Sequence, residues 1–203
     1  MSALSKEWKR LEKALGRDAK RLSLRPPTTP VKIAAAERKL GFALPAELRE
    51  WLQICDGQKP GGKTLSILAT GGPLLSLKDI VETWKMQQAD GDPEEKEEKP
   101  QDKGRIRWLL SHPGRVPLGG DFEMGGGTWI DQAPAKKGTM GQIITSVDEC
   151  SFWVVGKNFA EMIGKTADLV ENKALRICED PLSFESAKGG GGYGSWAPLL
   201  RKS

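Results

Sequence analysis

The sequence predicts a single domain of mixed α/β (α+β) class, in which helices come first and strands follow. The chain has 203 residues, of which 38% are hydrophobic and 29% are charged, a composition typical of globular proteins with a sizeable core. Through the first 89 residues, apolar side chains recur at the three- and four-residue spacing of helices. After residue 103, apolar side chains come in short extended runs between Gly-rich turns. Together these observations predict helices in the first half and a sheet in the second.

A basic segment opens the chain. Residues 2–25 hold eight Lys or Arg and three acids, a net charge of +5. An apolar stripe at helical spacing predicts a helix that Gly16 ends; the stripe is Leu4, Trp8, Leu11 and Leu15. Two interpretations stay open: a basic amphipathic helix for an anionic surface, or a helix packed by its stripe with its charges in solvent. A proline-rich connector follows, so residues 1–30 are assigned to an N-terminal helix and its connector.

Three further helices are predicted before residue 90. The first carries Ile33, Ala36 and Leu40 and ends at Gly41, which suits a left-handed cap. The second starts at Pro45 and presents one apolar face, formed by Leu48, Trp51, Leu52 and Cys55. The third begins after Ser76, an N-cap that has Asp79 three residues on. A short strand over 64–68 is expected between the second and third helices.

The second half of the chain contains the predicted strands. Four apolar runs are assigned to them: 106–110, 128–130, 142–145 and 152–155. A last helix follows, marked by Phe159, Met162 and Ile163. The run of glycines at 189–194 predicts a flexible segment before a short apolar end. Residues 171–203 are therefore assigned to a Gly-rich, flexible C-terminal tail.

An acidic segment separates the two halves. Residues 90–103 contain seven acids and three lysines, a net charge of −4, and no apolar side chain apart from proline. This composition is typical of a disordered or highly solvated loop. The overall net charge of +4 therefore includes two strongly charged segments of opposite sign, which largely cancel each other.

Histidine and cysteine usage excludes several kinds of site. The single histidine, His112, rules out multi-histidine metal centres and lies in a Ser-His-Pro-Gly turn. The cysteines, Cys55, Cys150 and Cys178, form no CxxC pair, which favours reduced thiols and argues against a zinc site. No apolar run reaches the length of a membrane span, and no signal core is present at the N-terminus. We therefore expect a cytoplasmic protein with no metal, no cofactor and no membrane contact.

One stretch matches a nucleotide-binding pattern by its letters alone. Residues 57–64 read Gly-Gln-Lys-Pro-Gly-Gly-Lys-Thr, as GxxxxGK[ST] requires. A phosphate-binding loop needs a strand before it and a helix after it, so that backbone N–H groups point at the phosphates. Here a helix comes before, a strand is expected after, and Pro60 removes one amide. The match is interpreted as coincidental.

Neither the tryptophans nor the acids outline a nucleic-acid or catalytic site. Most of the seven tryptophans fall on apolar helix faces or in strand patterns, which indicates core positions rather than base stacking. Glutamates at 94–98 lack the burial that separates catalytic pKa values. Asp121 and Asp131 flank a glycine triplet, with Glu123 nearby, and turn capping is the favoured role. Nucleic-acid binding is not expected from these residues, and the basic N-terminal helix is the only segment with a nucleic-acid profile.

A series of short motifs in a fixed order carries a family resemblance. A helix ends in Leu-Gly, a Leu-Pro entry follows, and the next helix ends near Asp-Gly; after these come a Val-Pro-Leu-Gly-Gly-Asp run, 129–134, 141–144 and 152–163. Over residues 31–170 this order resembles the SUKH superfamily, which includes fungal cell-wall-synthesis regulators and many bacterial toxin-immunity proteins. Its motif positions have a scaffold character of caps, helix starts and turns: Leu40, Gly41, Leu44, Pro45, Trp51, Leu52, Asp56, Gly57, Pro117, Gly119, Gly120 and Gly141.

The resemblance implies a domain over 31–170 in which helices flank an antiparallel-rich central sheet, and no catalytic activity. It also implies a bacterial immunity protein that binds and neutralises a cognate toxin such as a nuclease. Acidic side chains would complement the basic groove of a nuclease. The candidate partner-binding residues are therefore Glu94, Glu95, Glu97, Glu98, Asp121, Glu123 and Asp131.

Two alternatives stay open beside immunity. One is a regulatory scaffold that contacts several partners through its charged segments. The other is a binder of nucleic acid or of an anionic surface through the N-terminal helix. A monomer or a weak dimer is expected in each case.

Overall fold

Helices and two antiparallel sheets make up the part of the chain that the computed structural model describes. That part is residues 1–89, 102, 104–107, 112–120, 126–146, 152–179, 182–188 and 196–202. The predicted α+β class is confirmed, with helices in the first half and a four-stranded antiparallel sheet in the second.

The N-terminal helix α1 (Ala3–Leu15) packs into the hydrophobic core. Ser2 Oγ accepts a hydrogen bond from Ser5 N at 3.1 Å and caps the start of the helix. Gly16, at φ +54°, ends it as predicted, and a 3₁₀ turn follows. The main neighbour of α1 is the helix α5 (Phe159–Glu171). The whole predicted stripe is buried there, so the interpretation as a packed helix is confirmed: Leu4, Trp8, Leu11 and Leu15.

The three predicted helices of the next segment are also present. They are α2 (Pro30–Leu40), α3 (Ala46–Ile54) and α4 (Leu77–Ala89). Gly41, at φ +80°, ends α2. Ser76 Oγ accepts a hydrogen bond from the backbone of α4 at 3.3 Å and caps its start. The predicted end of α2 at Gly41 and the predicted starts of α3 at Pro45 and of α4 after Ser76 thus agree with the observed bounds to within one residue.

Four strands form one antiparallel sheet in sequence order. They are β1 (Arg115–Gly119), β2 (Gly127–Asp131), β3 (Gln142–Ser146) and β4 (Phe152–Gly156). The predictions for 128–130, 142–145 and 152–155 are confirmed. In the central pair, Trp129 lies opposite Ile144.

Both faces of this sheet are buried. One face joins the main core beneath the helices through Val116, Leu118, Ile130, Ile143, Trp153 and Val155. The other face belongs to a second cluster made of Ile106, Trp129, Ile144, Phe152 and Val154. Successive strand residues point to opposite faces, and each face here has its own apolar cover.

A hairpin and a short helix complete the described chain. β5 (Leu175–Glu179) pairs antiparallel with β6 (Leu182–Ser186), in a region where no strand was predicted. Phe184 of β6 is buried and packs edge-on against Trp196, with ring centroids 6.1 Å apart. The last helix, α6 (Ala197–Lys202), follows at once. The described residues of the predicted tail thus contribute to the main core.

Two predicted strands are wrong wherever the structure describes them. Residues 64–68 are irregular, and Leu65 N donates a hydrogen bond to Arg21 O at 2.9 Å rather than to a neighbouring strand. The apolar side chains of this stretch are buried, so their strand-like pattern in the sequence results from burial in the core and not from sheet pairing. Ile106 and Arg107 also lie outside any strand. The remainder of 106–110, the Gly-rich run at 189–194 and all of the acidic segment except Asp102 lie outside the described residues.

Candidate functional site

A groove of about 570 Å³ lies between α2 and α4 and is called the α2–α4 groove here. From α2 it takes residues at i, i+3, i+4 and i+7, which share one helix face: Lys32, Ala35, Ala36 and Lys39. From α4 it takes Leu77, Lys78, Val81, Glu82 and Lys85. Thr28 and Asp56 close one end.

The two helices run side by side in the same direction. Near their N-terminal ends, Asp56 Oδ1 accepts a hydrogen bond from Leu77 N at 2.7 Å, and Asp56 N donates to Pro26 O at 3.2 Å. Near their C-terminal ends, Phe42 packs on Trp84 with ring centroids 5.4 Å apart. Two lysines therefore stand at each end of the groove: Lys32 and Lys78 at the first, Lys39 and Lys85 at the second.

The groove has an apolar floor and a cationic rim. Ala36, Leu77 and Val81 are buried, whereas the four lysines are exposed. Four lysines against Asp56 and Glu82 give the lining a net charge of +2.

Most of this positive charge is not neutralised within the chain. Lys78 pairs with Glu82 at 3.7 Å. Within the part of the chain that the structure describes, the other three rim lysines make no ion pair. The carboxylate of Asp56 caps the start of α4 and is already hydrogen-bonded. The groove therefore offers several cations and a strip of apolar surface to a ligand.

This arrangement suits binding of a partner better than it suits a reaction. Ammonium groups on flexible stems attract anionic groups at long range, and the floor buries apolar ones. Among the described residues, no group of three or more His, Cys, Asp or Glu is placed to hold a metal ion.

The described residues that line the groove include none of the predicted partner-binding acids. Six of them lie outside the described residues: Glu94, Glu95, Glu97, Glu98, Asp121 and Glu123. The seventh, Asp131, is only 1% exposed. Its Oδ1 accepts a hydrogen bond from Ala133 N at 3.1 Å, and its Oδ2 accepts one from Gln142 Nε2 at 3.0 Å. Asp131 is therefore corrected from a candidate surface contact to a buried turn cap, the role that its sequence position favoured.

The family-motif residues act as scaffold around the groove. Asp56 and Gly57 follow the end of α3 and contact the chain at the start of α4. Gly57 has φ +73° and packs against the backbone of Leu74 and Leu75. Gly119 has φ +153° where β1 passes Pro73. Four apolar motif residues are buried in the main core: Leu40, Leu44, Trp51 and Leu52.

The stretch that matches a phosphate-binding loop lacks the required frame. α3 precedes it, as the sequence indicated, and irregular chain follows it in place of the expected strand. Thr64 Oγ1 donates a hydrogen bond to Lys59 O at 2.7 Å and so closes the turn on itself. A nucleotide site of this type needs a helix after the loop, and residues 64–70 form none, which agrees with the interpretation of 57–64 as a coincidental match.

His112 is a turn residue, as expected. Its Nδ1 accepts a hydrogen bond from Gly114 N at 2.9 Å. The pKa of His112 lies below its ordinary value, chiefly because burial disfavours the charged ring and also because Arg115 and Arg107 repel it; Asp131 opposes this shift.

The lowered pKa of His112 predicts a pH dependence of stability. The unfolded chain, with an imidazole pKa of about 6.5, takes up a proton before the folded chain does. We expect the free energy of unfolding to be largest above that pH and to fall as the pH drops toward the lower pKa of the folded state. Urea unfolding between pH 7.5 and pH 5 measures this effect. In His112→Asn, which retains a hydrogen-bond acceptor for the turn, this part of the slope is expected to disappear; an unchanged slope would assign it to other groups.

The α2–α4 groove was not predicted from the sequence, although both of its helices were. A signal was present in each helix, because Lys32 and Lys39, like Lys78 and Lys85, are seven residues apart and enclose small or apolar residues. The sequence did not show that α2 and α4, which are separated by α3, are neighbours in the fold.

Comparisons with known proteins place the groove inside a family region. A sequence model of the SMI1 / KNR4 family (SUKH-1) matches residues 27–165, which include every residue of the α2–α4 groove. The chain is also similar to "Cell wall biosynthesis/cell cycle regulator smi1" of Schizosaccharomyces pombe (strain 972 / ATCC 24843), at 30% identity over 174 residues. That match covers 77% of this chain and 33% of the fungal protein, so the chain spans about a third of that relative's length.

The helices give no membrane signal in the described part of the chain. None of them is both long and apolar enough to cross a membrane.

Proposed function

The chain belongs to the SMI1/KNR4 family (SUKH-1), and on that premise we propose that it is a non-enzymatic binding module that docks a protein partner in the α2–α4 groove. The observation that carries the proposal is a groove with an apolar floor, on whose rim three lysines form no ion pair with any described residue. Unpaired charges beside buried apolar surface favour association with a complementary surface.

A regulatory role agrees with the named relative. The fungal protein is described as a regulator of cell wall biosynthesis and the cell cycle. We extend to this chain only a regulatory role, and we infer from the α2–α4 groove that it acts as an adaptor that contacts other proteins. The match covers only a third of the relative, so the partners themselves are left to experiment.

The surroundings of the thiols and of the imidazole support a function without catalysis. Cys55 is buried in the main core, and burial raises the pKa of its thiol to about 12, which disfavours the reactive thiolate. His112 is hydrogen-bonded in its turn. Cys55 and Cys178 are free thiols, which suits a reducing compartment such as the cytoplasm.

A toxin-immunity role is the second candidate. It is favoured by the acidic segment at 90–103, whose net charge of −4 would attract the basic substrate groove of a nuclease toxin. Co-expression with the product of a neighbouring toxin-like gene separates the two roles. Rescue of growth together with a one-to-one complex favours immunity, and several weaker partners without rescue favour the adaptor. Alanine at Glu94, Glu95, Glu97 and Glu98 should lower the association rate and its salt dependence if that segment takes part.

The docking function is tested by charge reversal in the groove. We expect Lys39→Glu/Lys85→Glu to weaken association with the native partner at least tenfold, about 1.4 kcal/mol, because the substitutions replace attraction by repulsion at one end of the groove. The measurement is copurification from the native host, followed by titration of the purified partner at two salt concentrations.

A matched control lies on α1. Lys6 and Lys13 are also exposed and seven residues apart, so Lys6→Glu/Lys13→Glu changes the charge equally on another surface. The control should retain the partner. If the α1 variant loses the partner and the groove variant keeps it, the partner binds the N-terminal helix and not the groove.

A further inference from the structure

We propose that the α2–α4 groove recognises a short amphipathic helix that carries carboxylates about two turns apart on either side of a small apolar face. This inference rests on the proposed docking function and names the chemistry of the partner. It follows from the spacing of the rim lysines, from the shape of the apolar floor, and from the helical walls, which offer no sheet edge to an extended peptide.

The cations set the spacing of the partner's acids. On both α2 and α4, the two rim lysines are seven residues apart, which corresponds to about 10 Å along a helix. The lysines therefore lie at two levels, Lys32 and Lys78 at one end and Lys39 and Lys85 at the other. A third helix that lies along the groove presents its own i and i+7 side chains at the same separation.

The floor selects for apolar side chains of modest size between those acids. Ala35 and Ala36 have small side chains, so the α2 side of the groove leaves space at its centre. Leu77 and Val81 form the facing wall on α4. A volume of about 570 Å³ has room for several aliphatic side chains. Burial of apolar surface contributes about 25 cal/mol per Å², so contact with the floor stabilises the complex in addition to the charges.

Exposed apolar side chains extend this surface beyond the floor. Val31 is 76% exposed and lies one turn before Ala35, while Met86 is 54% exposed and lies one turn after Glu82. Residues four apart are neighbours on a helix surface. A helix longer than the groove would therefore find apolar contacts beside it on both α2 and α4.

A helix fits the groove better than an extended peptide. Strand addition needs an exposed sheet edge whose backbone groups can pair with the peptide. The walls of the α2–α4 groove are two α-helices, whose backbone groups are bonded within each helix. Side-chain packing in the manner of a helix in a groove is the mode that these walls permit.

Carboxylates fit the rim better than phosphates. Phosphate recognition commonly uses the bidentate fork of arginine, whereas every cation of the lining is a lysine. Glu82 and Asp56 also lie in the lining and would repel a dianionic group more strongly than a singly charged one.

Designed peptides test the inference. The probe is a fluorescently labelled 15-residue helix former with Leu and Ala on one face and Glu at two positions seven residues apart. One comparison peptide has Gln for both Glu residues, and another has Ser for the Leu residues. We expect the acidic peptide to bind the full chain and both comparison peptides to bind at least tenfold more weakly, measured by fluorescence anisotropy at low and at physiological salt.

Charge exchange separates recognition from loss of fold. Lys39→Glu/Lys85→Glu should lose the acidic peptide but bind a version of it that has Lys in place of Glu, a gain that an unfolded variant cannot show. Lys6→Glu/Lys13→Glu should bind the acidic peptide as the parent chain does. Equal binding of the Glu and Gln peptides, or unchanged binding by the groove variant, would overturn the inference.

The outcomes also separate this inference from the docking function. If groove reversal removes the native partner while no acidic helix binds, the docking function stands and the amphipathic-helix ligand is wrong. If neither effect is seen, both are wrong. Tighter groove-dependent binding of a 15-base-pair DNA duplex or of vesicles with anionic lipid than of the peptide would also overturn the inference.

Discussion

Trp51→Ala is expected to lower the free energy of unfolding by about 3–5 kcal/mol. Trp51 is 1% exposed and lies where α1, α3 and α5 meet. Its ring packs edge-on against Trp8 at a centroid distance of 4.7 Å and against Phe159 at 5.5 Å. Truncation to Ala removes both aromatic contacts and leaves a cavity beneath the helices.

Two companion variants serve as controls for this loss of stability. Gln53→Ala changes an exposed residue of the same helix and should shift the free energy of unfolding by less than about 0.5 kcal/mol. Trp51→Phe keeps an aromatic ring in the cluster. Within the described structure, Trp51 Nε1 has no hydrogen-bond partner, so this variant should lose much less than Trp51→Ala. Urea unfolding followed by circular dichroism measures all three; equal losses for Trp51→Ala and Gln53→Ala would contradict the packing described here.

Gly57→Ala is expected to lower the free energy of unfolding by about 2–5 kcal/mol, the sum of left-handed strain and steric conflict. Gly57 has φ +73°, and a Cβ on it would lie 2.4 Å from Leu75 O and 2.6 Å from Leu74 O. Those neighbours are backbone atoms, which cannot turn away as a side chain can. Relief of the conflict must separate the end of α3 from the chain that enters α4.

Gly41→Ala is the matched control. Gly41 also has a left-handed backbone, at φ +80°, but a Cβ there would meet nothing within 4 Å. It should cost only the conformational strain, about 1–2 kcal/mol. The difference between the two variants in urea unfolding measures the steric part of the Gly57 loss, and equal losses would show that the chain at Leu74 and Leu75 moves aside easily.

Gly57 also connects stability with the proposed binding site. Its neighbour Asp56 accepts a hydrogen bond from Leu77 N at 2.7 Å and so places the start of α4 beside α2. A shift of the chain at Gly57 would move that contact. We therefore expect Gly57→Ala, under conditions in which it stays folded, to weaken partner binding more than Gly41→Ala does.

Local sequence was sufficient for the parts of the fold that depend on local physics. Helical spacing together with an N-cap or a glycine at the end located α1 and α2. Both Gly16 and Gly41 adopt a positive φ at these ends, and Gly41 has the left-handed conformation that caps a helix. Extended apolar runs between turns located β2, β3 and β4. These signals act within a few residues and do not need the rest of the chain.

Long-range features were not accessible in the same way. Residues 64–68 show an apolar pattern that resembles a strand, but the chain is held there by a hydrogen bond to Arg21, more than 40 residues earlier. The sequence favours a turn cap at Asp131 but does not show its burial, which depends on Gln142 of the next strand, whose Nε2 donates a hydrogen bond to the Asp131 carboxylate. The α2–α4 groove exists only because two helices that are not consecutive pack together. In each case the deciding neighbour is distant in sequence.

Site-specific photo-crosslinking in the native host tests most directly whether partners bind in the α2–α4 groove. A photoreactive phenylalanine replaces Glu82, which lines the groove and is exposed, and in a second strain it replaces Lys13 on α1. We predict a partner adduct from position 82 that disappears when Lys39→Glu/Lys85→Glu is added, and no such adduct from position 13. An adduct from position 13 alone, or one from position 82 that survives the charge reversal, would contradict the groove as the docking surface.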